Sequence, residues 1–370
     1  MDSDLVLVIV VVTALAFDFT NGFHDTANVV ATGISTRAIP PRTAVLGAAL
    51  LNFVGAFISL EVAATVANGI VEADQITPTI VFAGLIGAIT WNLITWWYGL
   101  PSSSSHALIG GVVGAALAAE GTQAVIGGGL LGKVIVPALI APVLAFAVAG
   151  LGILCVYWIV GRLRPGSVNR GFRHGQIVTG GLLALSHGTN DAQKTMGIIL
   201  LALIANGNLS EGSDPPMWVV ISAATAIALG TYAGGWRIIR TLGTRIIKMD
   251  PAQGFAAQGA GATVILASSH FGYPLSTTHT ISGAIIGAGA AKRLSAVRWG
   301  VAGNIVPAWV LTFPAAGTMG AIVYGVTHIF GTGALGPIVV SVLVVGLIAA
   351  IFGQRFRHAA PQPAVGESAP

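Results

Sequence analysis

The sequence predicts an all-α polytopic membrane protein with two inverted-topology repeats, and its low charge and its internal duplication carry that prediction. Of the 370 residues, 54% are hydrophobic and 8% are Asp, Glu, Lys or Arg, whereas soluble domains carry roughly 25% charged residues. The mean hydropathy is +0.84. So few charged side chains cannot cover a water-facing surface, and lipid must therefore cover most of the protein.

Apolar segments recur along the whole chain, and their lengths set the expected number of spans. A membrane-spanning helix needs about 20 apolar residues, so the longer segments are full spans and the shortest indicate half-helices. We expect broken helices and re-entrant Ser/Thr-rich hairpins among roughly 10–12 membrane segments. The apolar segments lie at 5–17, 43–60, 79–98, 107–119, 134–160, 177–204, 217–235, 255–269, 300–325 and 336–352.

Composition also excludes several classes of protein. The sequence pI is near 9.5, but the basic residues lie in short loops rather than on one face, so nucleic acid is not an expected partner. Cys155 is the single cysteine, which rules out an intrachain disulfide or a cysteine metal cluster. The N-terminus lacks the basic region of a signal peptide, so its cleavage is not expected.

Two short blocks in the first half of the chain recur in the second half, in the same order. Residues 19–31, FTNGFHDTANVVA, align with residues 185–197, LSHGTNDAQKTMG. Residues 98–114, YGLPSSSSHALIGGVVG, align with residues 271–287, FGYPLSTTHTISGAIIG. This recurrence indicates an internal duplication. In the first block the alignment pairs Gly22 with Gly188, His24 with Asn190, Asp25 with Asp191 and Asn28 with Lys194; in the second it pairs Gly99, Pro101, Ser103, Ser104, Ser105, His106, Gly110 and Gly114 with Gly272, Pro274, Ser276, Thr277, Thr278, His279, Gly283 and Gly287.

Basic residues in the loops orient the two repeats. Because basic loops stay in the cytoplasm, we expect the N-terminus outside and the two halves inserted from opposite sides, the inverted-repeat plan of many secondary transporters. The expected units are a first repeat at 1–161, a basic cytoplasmic linker at 162–174, a second repeat at 175–325, an additional C-terminal membrane helix at 326–353 and a disordered tail at 354–370.

Asp25 and Asp191 lie inside apolar stretches at matching positions of the two repeats. A carboxylate inside a membrane is costly unless a cation, a proton or water meets it. We expect these acids, with Asn21 and Asn190, to form a site for a coupling cation or proton at a broken first helix of each repeat. A helix cap or an ion pair that only stabilises the fold is the alternative. Lys194 either neutralises Asp191 or attracts an anion.

The tracts Ser102–Ser105 and Ser276–Thr278 each follow a Gly-x-Pro break and have the pattern of helix starts. Ser and Thr favour N-caps, and a helix start offers free N–H groups and a partial positive charge that bind anions. Two such starts facing each other would form a cage of donors for a tetrahedral oxyanion. A packing seam of small residues is the alternative.

His106 and His279 form a third matched pair, each directly after its hydroxyl tract. We favour a histidine that bonds to the backbone and supports the hairpin tip, with a proton relay as the alternative. Asp18 has Ala184 as its counterpart, and we expect it to join a local polar network rather than to bind a ligand.

At these blocks the chain resembles the inorganic phosphate transporter (PiT) family, in its bacterial form with a short central linker. The matching stretches are GFHDTANVVAT, HGTNDAQKTMGI, GLPSSSSHALIGG and GYPLSTTHTISGAIIG, and the likeness runs from about residue 13 to residue 325. The resemblance implies phosphate uptake across the cell membrane, coupled to a cation, with a possible homodimer. Some bacterial relatives carry sulfate instead.

The resemblance also implies which residues form the site. Asp25 and Asp191, with Asn21 and Asn190, are expected to hold the coupling ion. Asn52 stands where sodium-coupled animal members carry a glutamate, and the matching place near Gln258 and Ala257 also lacks a carboxylate, which favours protons. In some proton-coupled members phosphate travels as a neutral metal–phosphate complex. The residues expected to bind phosphate are Ser102, Ser103, Ser104, Ser105, Ser276, Thr277, Thr278, Asn28, Gln193, Lys194 and Thr195.

The resulting prediction is a secondary active transporter that imports phosphate by alternating access. H+ is favoured as the coupling ion over Na+, and no cofactor or dedicated metal ligand is expected. A sulfate permease of the same fold and, less so, an anion channel are the alternatives. An enzyme is not expected, because no matched acid orients the histidine beside the serine tract.

Overall fold

The computed structural model describes residues 2–358, with the side chains of residues 3–350, and this part of the chain is helical almost throughout. Its extended backbone pairs only in two isolated bridges, Val71 with Val125 and Ile247 with Val297. We number the helices in chain order. They are α1 (Asp2–Ser35), α2 (Pro41–Gly55), α3 (Glu61–Asn68), α4 (Pro78–Tyr98), α5 (Ser104–Glu120), α6 (Gly127–Val160), α7 (Pro165–Ala205), α8 (Met217–Ala233), α9 (Trp236–Arg245), α10 (Pro251–His270), α11 (Thr277–Lys292), α12 (Trp299–Ile329) and α13 (Leu335–His358).

Four of the described helices are long and apolar enough to cross a membrane, namely α1 from Ser3 onward, α4, α6 and α12. Helices α8 and α9 together form a fifth candidate, bent by 59° at the break between them. Gly234 in this break has a φ of 73°, a left-handed conformation that glycine adopts without strain. The all-α polytopic fold predicted from composition is confirmed.

The two predicted hairpins are present. Helix α4 ends at Gly99, whose φ is 66°, and an extended segment leads to Ser103, the N-cap of α5. Helix α10 ends before Gly272, whose φ is 71°, and an extended segment leads to Ser276, the N-cap of α11. Each Gly-x-Pro tract therefore interrupts the helical path in the same manner in both halves.

The first helix of each repeat is continuous, and the prediction that it is broken was wrong. Helix α1 runs without interruption through Gly22, and α7 runs through Gly188. A Cβ on Gly22 would lie 2.4 Å from the carbonyl O of Ile227, and one on Gly188 would lie 2.2 Å from the carbonyl O of Asn52. The repeated glycine therefore permits close approach of neighbouring helices rather than a helix break.

We expect Gly188→Ala to destabilise the protein, because the added Cβ would overlap the Asn52 carbonyl and force α2 away from α7. Overpacking of this kind costs about 1–3 kcal/mol, which a lower thermal unfolding temperature in detergent would report. Gly47→Ala is the control, since a Cβ there meets no atom within 4 Å and alanine favours a helix over glycine by about 1 kcal/mol. Equal stability of the two variants would show that the crossing of α2 and α7 does not depend on this glycine.

The two repeats interlock through matching contacts. Helix α5 of the first repeat packs most extensively against α12 of the second, and α11 of the second packs most extensively against α6 of the first. In the same way α2 packs against α7, and α8 packs against α1. Each repeat thus completes the packing of the other, as expected of two related inverted halves.

Two apolar clusters fill the interior, and a polar layer separates them. One cluster contains α1 as far as Phe17 and α7 from Ala192 onward, and the other contains α1 from Ala27 onward and α7 as far as Ala184. The segments between these limits carry the buried polar side chains of both Asp blocks. The polar layer therefore crosses the interior at the middle of both long helices.

The limits of two predicted units differ in the structure. Residues 165–174 of the expected linker form the first turns of α7, which begins at Pro165, and proline is favoured at a first helical position. Residues 354–358 of the expected tail continue α13. Residues 359–370 of that tail lie outside the described range.

Candidate functional site

Asp25 is buried in the polar layer, and both of its carboxylate oxygens accept hydrogen bonds. Its Oδ2 accepts from the Ser104 hydroxyl at 2.6 Å. Its Oδ1 lies 2.8 Å from His24 Nδ1 and accepts from the Thr278 hydroxyl at 3.4 Å. Helix α1 thus presents this acid to the start of α5 in its own repeat and to the start of α11 in the other.

Asp191 has an equivalent environment in the second repeat. Its Oδ2 accepts from the hydroxyl of Thr277 at 3.2 Å, and Thr277 is the repeat counterpart of Ser104. Lys194, one helical turn later on α7, donates from Nζ to Asp191 Oδ1 in a fully buried ion pair. His187 Nε2 lies 3.0 Å from Asp191 Oδ2. Among the ion pairs of the described residues, Asp191 therefore pairs with Lys194, whereas Asp25 pairs with His24.

Asn28 and its counterpart Lys194 reach across to the opposite repeat. Asn28 on α1 donates to the Thr278 hydroxyl at 2.8 Å and to the Thr277 hydroxyl at 3.3 Å. Lys194 on α7 donates to the Ser105 hydroxyl at 2.5 Å. Since Ser105 and Thr278 are themselves counterparts, the two crossing contacts obey the pseudo-symmetry of the repeats.

The starts of α5 and α11 meet at the carbonyl group of Leu275. This oxygen accepts from the Ser105 hydroxyl at 3.0 Å and from Lys194 Nζ at 2.7 Å. The first N–H groups of each helix have no intrahelical partner, and each helix start carries a partial positive charge. The donors predicted at Ser104, Ser105, Thr277, Thr278, Asn28 and Lys194 are therefore gathered in one buried place.

Ser102 belongs to a second chain of hydrogen bonds, which leads to His24. Its hydroxyl donates to Thr95 at 2.8 Å and lies 3.4 Å from His24 Nε2, which is itself 3.2 Å from the Thr95 hydroxyl. Asn190, the counterpart of His24, donates to the Ser269 hydroxyl at 2.8 Å. Both bonds tie a long helix to the hairpin of its own repeat. Thr95 was not predicted as a member of this site. Its position as a polar residue within the apolar helix α4 is the signal that could have found it.

Ser103 and Ser276 act as helix caps in this arrangement. Ser103 accepts the backbone N–H of His106 at 3.1 Å, and Ser276 accepts that of His279 at 3.2 Å. A side-chain oxygen in this position satisfies one of the unpaired donors of a helix start. Both hydroxyls were predicted among the phosphate ligands, and the structure places them beside the crossing contacts rather than in them.

Gln193 lies apart from the hydroxyl tracts. Its Oε1 accepts the backbone N–H groups of Val62 at 2.9 Å and of Ala63 at 3.2 Å. These are unpaired donors at the start of α3. Gln193 therefore fastens α3 to α7, a contact that its place beside Asp191 and Lys194 in the sequence did not reveal.

Asn21 and Thr195 lie beside Asp18. All three side chains are at most 1% exposed. Both carboxyl oxygens of Asp18, the amide oxygen of Asn21 and the Thr195 hydroxyl lack a hydrogen bond in full geometry, so the neighbouring groups approach one another loosely. The polar groups expected around Asp18 are therefore present, but they form no hydrogen bond of full geometry with its carboxyl group.

His106 and His279 contact each other where the two hairpins meet. Their ring centroids lie 4.8 Å apart at an interplanar angle of 77°. His279 also stacks on Trp309, with centroids 4.2 Å apart, and Trp309 Nε1 donates to the Pro101 carbonyl at 3.2 Å. These contacts place the two rings where the hairpins meet, with His279 against α12. The expected bond from the ring to the backbone is not made by His279 Nε2, which has no hydrogen-bond partner.

Asp25, His187 and Asp191 form one buried group whose candidate ligand atoms all lie within 4.8 Å of one another. At this spacing a single small cation could contact all three side chains. His187 was not among the predicted site residues. Its place four residues before Asp191, one turn along the same helix face, is the signal that could have found it.

Asn52 and its structural counterpart both lack a carboxylate. The sequence-based match of Asn52 to the region of Gln258 was wrong, because Gln258 lies on α10, outside the helix that corresponds to α2. Gly55 and Gly230 are counterparts, because Gly55 packs against the carbonyl O of Leu185 on α7 and Gly230 packs against the carbonyl O of Phe19 on α1. Phe19 and Leu185 are aligned positions of the two repeats. Ile227 precedes Gly230 as Asn52 precedes Gly55, so the counterpart of Asn52 is an apolar residue.

Comparison with known proteins places the chain among transporters of phosphate. A model described as the phosphate transporter family matches residues 21–166 and 162–320. A protein of Mycobacterium bovis described as a probable low-affinity inorganic phosphate transporter is 55% identical over 326 residues, which cover 88% of this chain and 78% of the relative. A protein of the same description from Rhizobium meliloti is 51% identical over 328 residues, which cover 88% of this chain and 98% of the relative.

A solved structure described as the sodium-dependent phosphate transporter has the same fold. It superposes with a TM-score of 0.78 at 26% sequence identity, covering 87% of this chain and 98% of that one. The family model covers Asp25, Asp191 and both hydroxyl tracts. The chain therefore belongs to the phosphate transporter family.

Proposed function

We propose that the protein imports inorganic phosphate across the cell membrane, coupled to protons, by alternating access of its two repeats. The family and the descriptions of the relatives support the substrate and a transporter rather than an enzyme. The observation that carries the proposal is the junction at Leu275, where Ser105 of one repeat and Lys194 of the other donate to one carbonyl oxygen. An anion bound there would contact both halves at once.

Phosphate would replace hydrogen bonds that the donors now make to each other. Hydroxyls from both tracts and the Asn28 amide point into this place, and Lys194 adds a charge-assisted bond, which is roughly twice as strong as a neutral one. The carboxylates of Asp25 and Asp191 favour phosphate over sulfate. Phosphate near neutral pH keeps a proton that it can donate to a carboxylate, whereas sulfate has none, and its charge would be repelled.

Substitutions at Ser103 and Ser104 should distinguish a serine that caps a helix from a serine that binds the anion. We expect Ser103→Ala to lower the thermal unfolding temperature, because loss of an N-cap costs about 1 kcal/mol, and Ser103→Asn to retain it. Ser104→Ala should lower phosphate affinity more than Ser103→Ala does, since the Ser104 hydroxyl bonds to Asp25 in the proposed site, whereas the Ser103 hydroxyl caps α5. Binding of labelled phosphate to purified protein measures this, and a larger affinity loss for Ser103→Ala would make Ser103 a ligand.

Charge balance requires a cation to enter with the anion. Asp25 and Asp191 bring two negative charges into the polar layer, and Lys194 brings one positive charge, so a bound phosphate would add further uncompensated charge. Uncompensated charge in a buried place is strongly unfavourable. The pairs His24–Asp25 and His187–Asp191 place an imidazole ring against each of these carboxylates.

Two features favour protons over sodium as the coupling ion. The positions of Asn52 and Ile227 supply no carboxylate to a sodium ion, and Lys194 already neutralises Asp191. A metal–phosphate complex is a second form in which the substrate could enter. The group of Asp25, His187 and Asp191 is spaced to meet the metal of such a complex.

The crossing contacts connect binding to movement. Asn28 and Lys194 each link the long helix of one repeat to the hairpin of the other. A phosphate that takes over these donors bridges the halves through itself, so the halves can rock about the anion and expose it to either side. Occupied and empty forms then prefer different arrangements, which is the condition for alternating access.

Uptake of radiolabelled phosphate into proteoliposomes tests the proposed function. A pH gradient, acidic outside, should drive accumulation, whereas an inward sodium gradient at equal pH should not, and excess sulfate should not compete. Omission of divalent metal ions tests for the metal–phosphate form. The proposal fails if phosphate does not accumulate under any imposed gradient, or if sulfate replaces it at equal concentration.

A further inference from the structure

Asp18 is a third buried acid of α1, and the duplication does not account for it. It lies seven residues before Asp25, and Ala184 occupies the matching position of the second repeat. Seven residues of helix span about 10 Å, so Asp18 lies within the polar layer but away from the hydroxyl tracts. Its side chain is 0% exposed, and neither carboxyl oxygen has a hydrogen bond in full geometry. Asp25 and Asp191, by contrast, are both bonded.

The neighbours of Asp18 do not neutralise a negative charge. Helix α7 supplies the charged groups that face it, Asp191 and Lys194, while the sequences of α4 and α8, which also pack on α1, contain no Asp, Glu, Lys, Arg or His. The three protons of the Lys194 ammonium have partners in Asp191, Ser105 and the Leu275 carbonyl. No donor of this lysine is left for Asp18, and the negative charge of Asp191 opposes a second one.

The polar groups around Asp18 fit a neutral carboxylic acid. A protonated carboxyl group donates one O–H, and the Asn21 amide oxygen and the Thr195 hydroxyl are buried acceptors without a partner beside it. A sodium ion would find oxygen ligands here in Asp18, Asn21 and Thr195, but it would add positive charge near Lys194. An ionised, unpaired carboxylate is the costliest arrangement of the three in a buried place.

We propose that Asp18 carries the coupling proton, a role that rests on the proposed function. The acid is protonated in the arrangement described here, and the Asn21 amide oxygen and the Thr195 hydroxyl are the acceptors available to its O–H. When rocking of the halves admits water to this part of α1, the O–H bond breaks, the proton passes to water and the carboxylate remains. Asp18 and Asn28 lie on one continuous helix, so the proton-carrying group moves together with the anion-binding group.

Asp18→Asn tests this assignment, because asparagine keeps the size of the side chain but cannot exchange a proton. We expect phosphate accumulation driven by a pH gradient to fall at least about tenfold, equivalent to 1.4 kcal/mol. Counterflow, in which external labelled phosphate exchanges for internal unlabelled phosphate, requires no net proton movement and should stay within about twofold of the parental rate. Asp18→Glu should restore gradient-driven accumulation. Asp74→Asn, which removes an exposed loop carboxylate, is the matched control and should behave as the parent.

The outcomes separate this assignment from the function itself. If the parent accumulates phosphate and Asp18→Asn does so equally well, the assignment to Asp18 is wrong while phosphate transport stands. Loss of counterflow together with accumulation would make Asp18 a binding or structural residue and overturn the proposal. If a sodium gradient drives accumulation in the parent and Asp18→Asn abolishes it, Asp18 would be a ligand of a sodium ion, and the proposal would be overturned.

Infrared spectroscopy of the purified protein provides a readout that does not depend on transport. The carbonyl stretch of a protonated carboxylic acid should be present in the parent and in Asp74→Asn, and should shift when water is exchanged for deuterium oxide. It should be weaker in Asp18→Asn by the contribution of one group. An identical band in the parent and in Asp18→Asn would show that Asp18 is ionised and would overturn the proposal.

Discussion

Replacing Asp25 by Asn should abolish phosphate uptake driven by a pH gradient, with an initial rate at least about 100-fold lower, equivalent to roughly 2.7 kcal/mol. The amide has nearly the same volume and can still accept from the Ser104 hydroxyl. It cannot carry the negative charge that accepts the proton of the incoming phosphate in the proposed mechanism. Asp191→Asn should have an effect of the same size, because Thr277 and Asp191 repeat the contact of Ser104 with Asp25.

The two variants can be distinguished from a folding defect. Asp214→Asn, which changes an exposed loop acid, serves as the control and should transport at the parental rate. All three proteins should elute as the parent does in gel filtration in detergent and reconstitute to the same amount. Parental uptake by either Asp25→Asn or Asp191→Asn would remove that acid from the transport mechanism.

Replacing Lys194 by Gln should reduce both stability and transport. It leaves Asp191 buried without its cation, and breaking a buried ion pair from one side costs about 3–5 kcal/mol. It also removes the charge-assisted donor from the proposed phosphate site, where a hydrogen bond to a charged group contributes about 1.5–3 kcal/mol. Thermal unfolding in detergent and binding of labelled phosphate measure the two effects.

A double variant separates these two effects. Lys194→Gln combined with Asp191→Asn removes both charges, so most of the lost stability should return while transport stays absent. Lys292→Gln is the control, because its pair with Asp250 at 3.0 Å is half-exposed and such pairs contribute only about 0–1 kcal/mol. If Lys194→Gln were as stable and as active as Lys292→Gln, the Lys194–Asp191 pair would have no role in the site.

The sequence predicted the members of the candidate site better than their contacts. The duplication pairs Asn28 with Lys194 and Ser105 with Thr278, and all four residues lie in the buried polar layer. It does not show that Asn28 bonds to the hydroxyl tract of the opposite repeat. That contact depends on how the two halves interlock, and two copies of a motif are equally compatible with contacts within each repeat.

Glycine shows why the path of the helices was harder to predict. A glycine beside buried polar residues suggests a break in a helix, and the same residue also permits two helices to approach closely. At Gly22 and Gly188 the helix continues and a neighbouring helix approaches closely, because carbonyl groups of α8 and α2 pack against these glycines. Both neighbouring helices lie far away in the sequence. The interpretation of Gln193 as a phosphate ligand has the same origin, since the backbone donors of α3 that it meets cannot be found by inspecting its own block.

By itself, the sequence determined that the chain is helical, lies in a membrane and contains an internal duplication. It also determined that paired acids and paired hydroxyl tracts lie within apolar segments. Each of these conclusions follows from local composition or from repetition, which need no knowledge of distance. The tertiary structure alone decided that α1 and α7 stay continuous, that the starts of α5 and α11 meet at Leu275, and that Asp18 lacks the partners of the other two acids. These features arise where helices from different parts of the chain cross, and the geometry of a crossing depends on the packing of all of its side chains together.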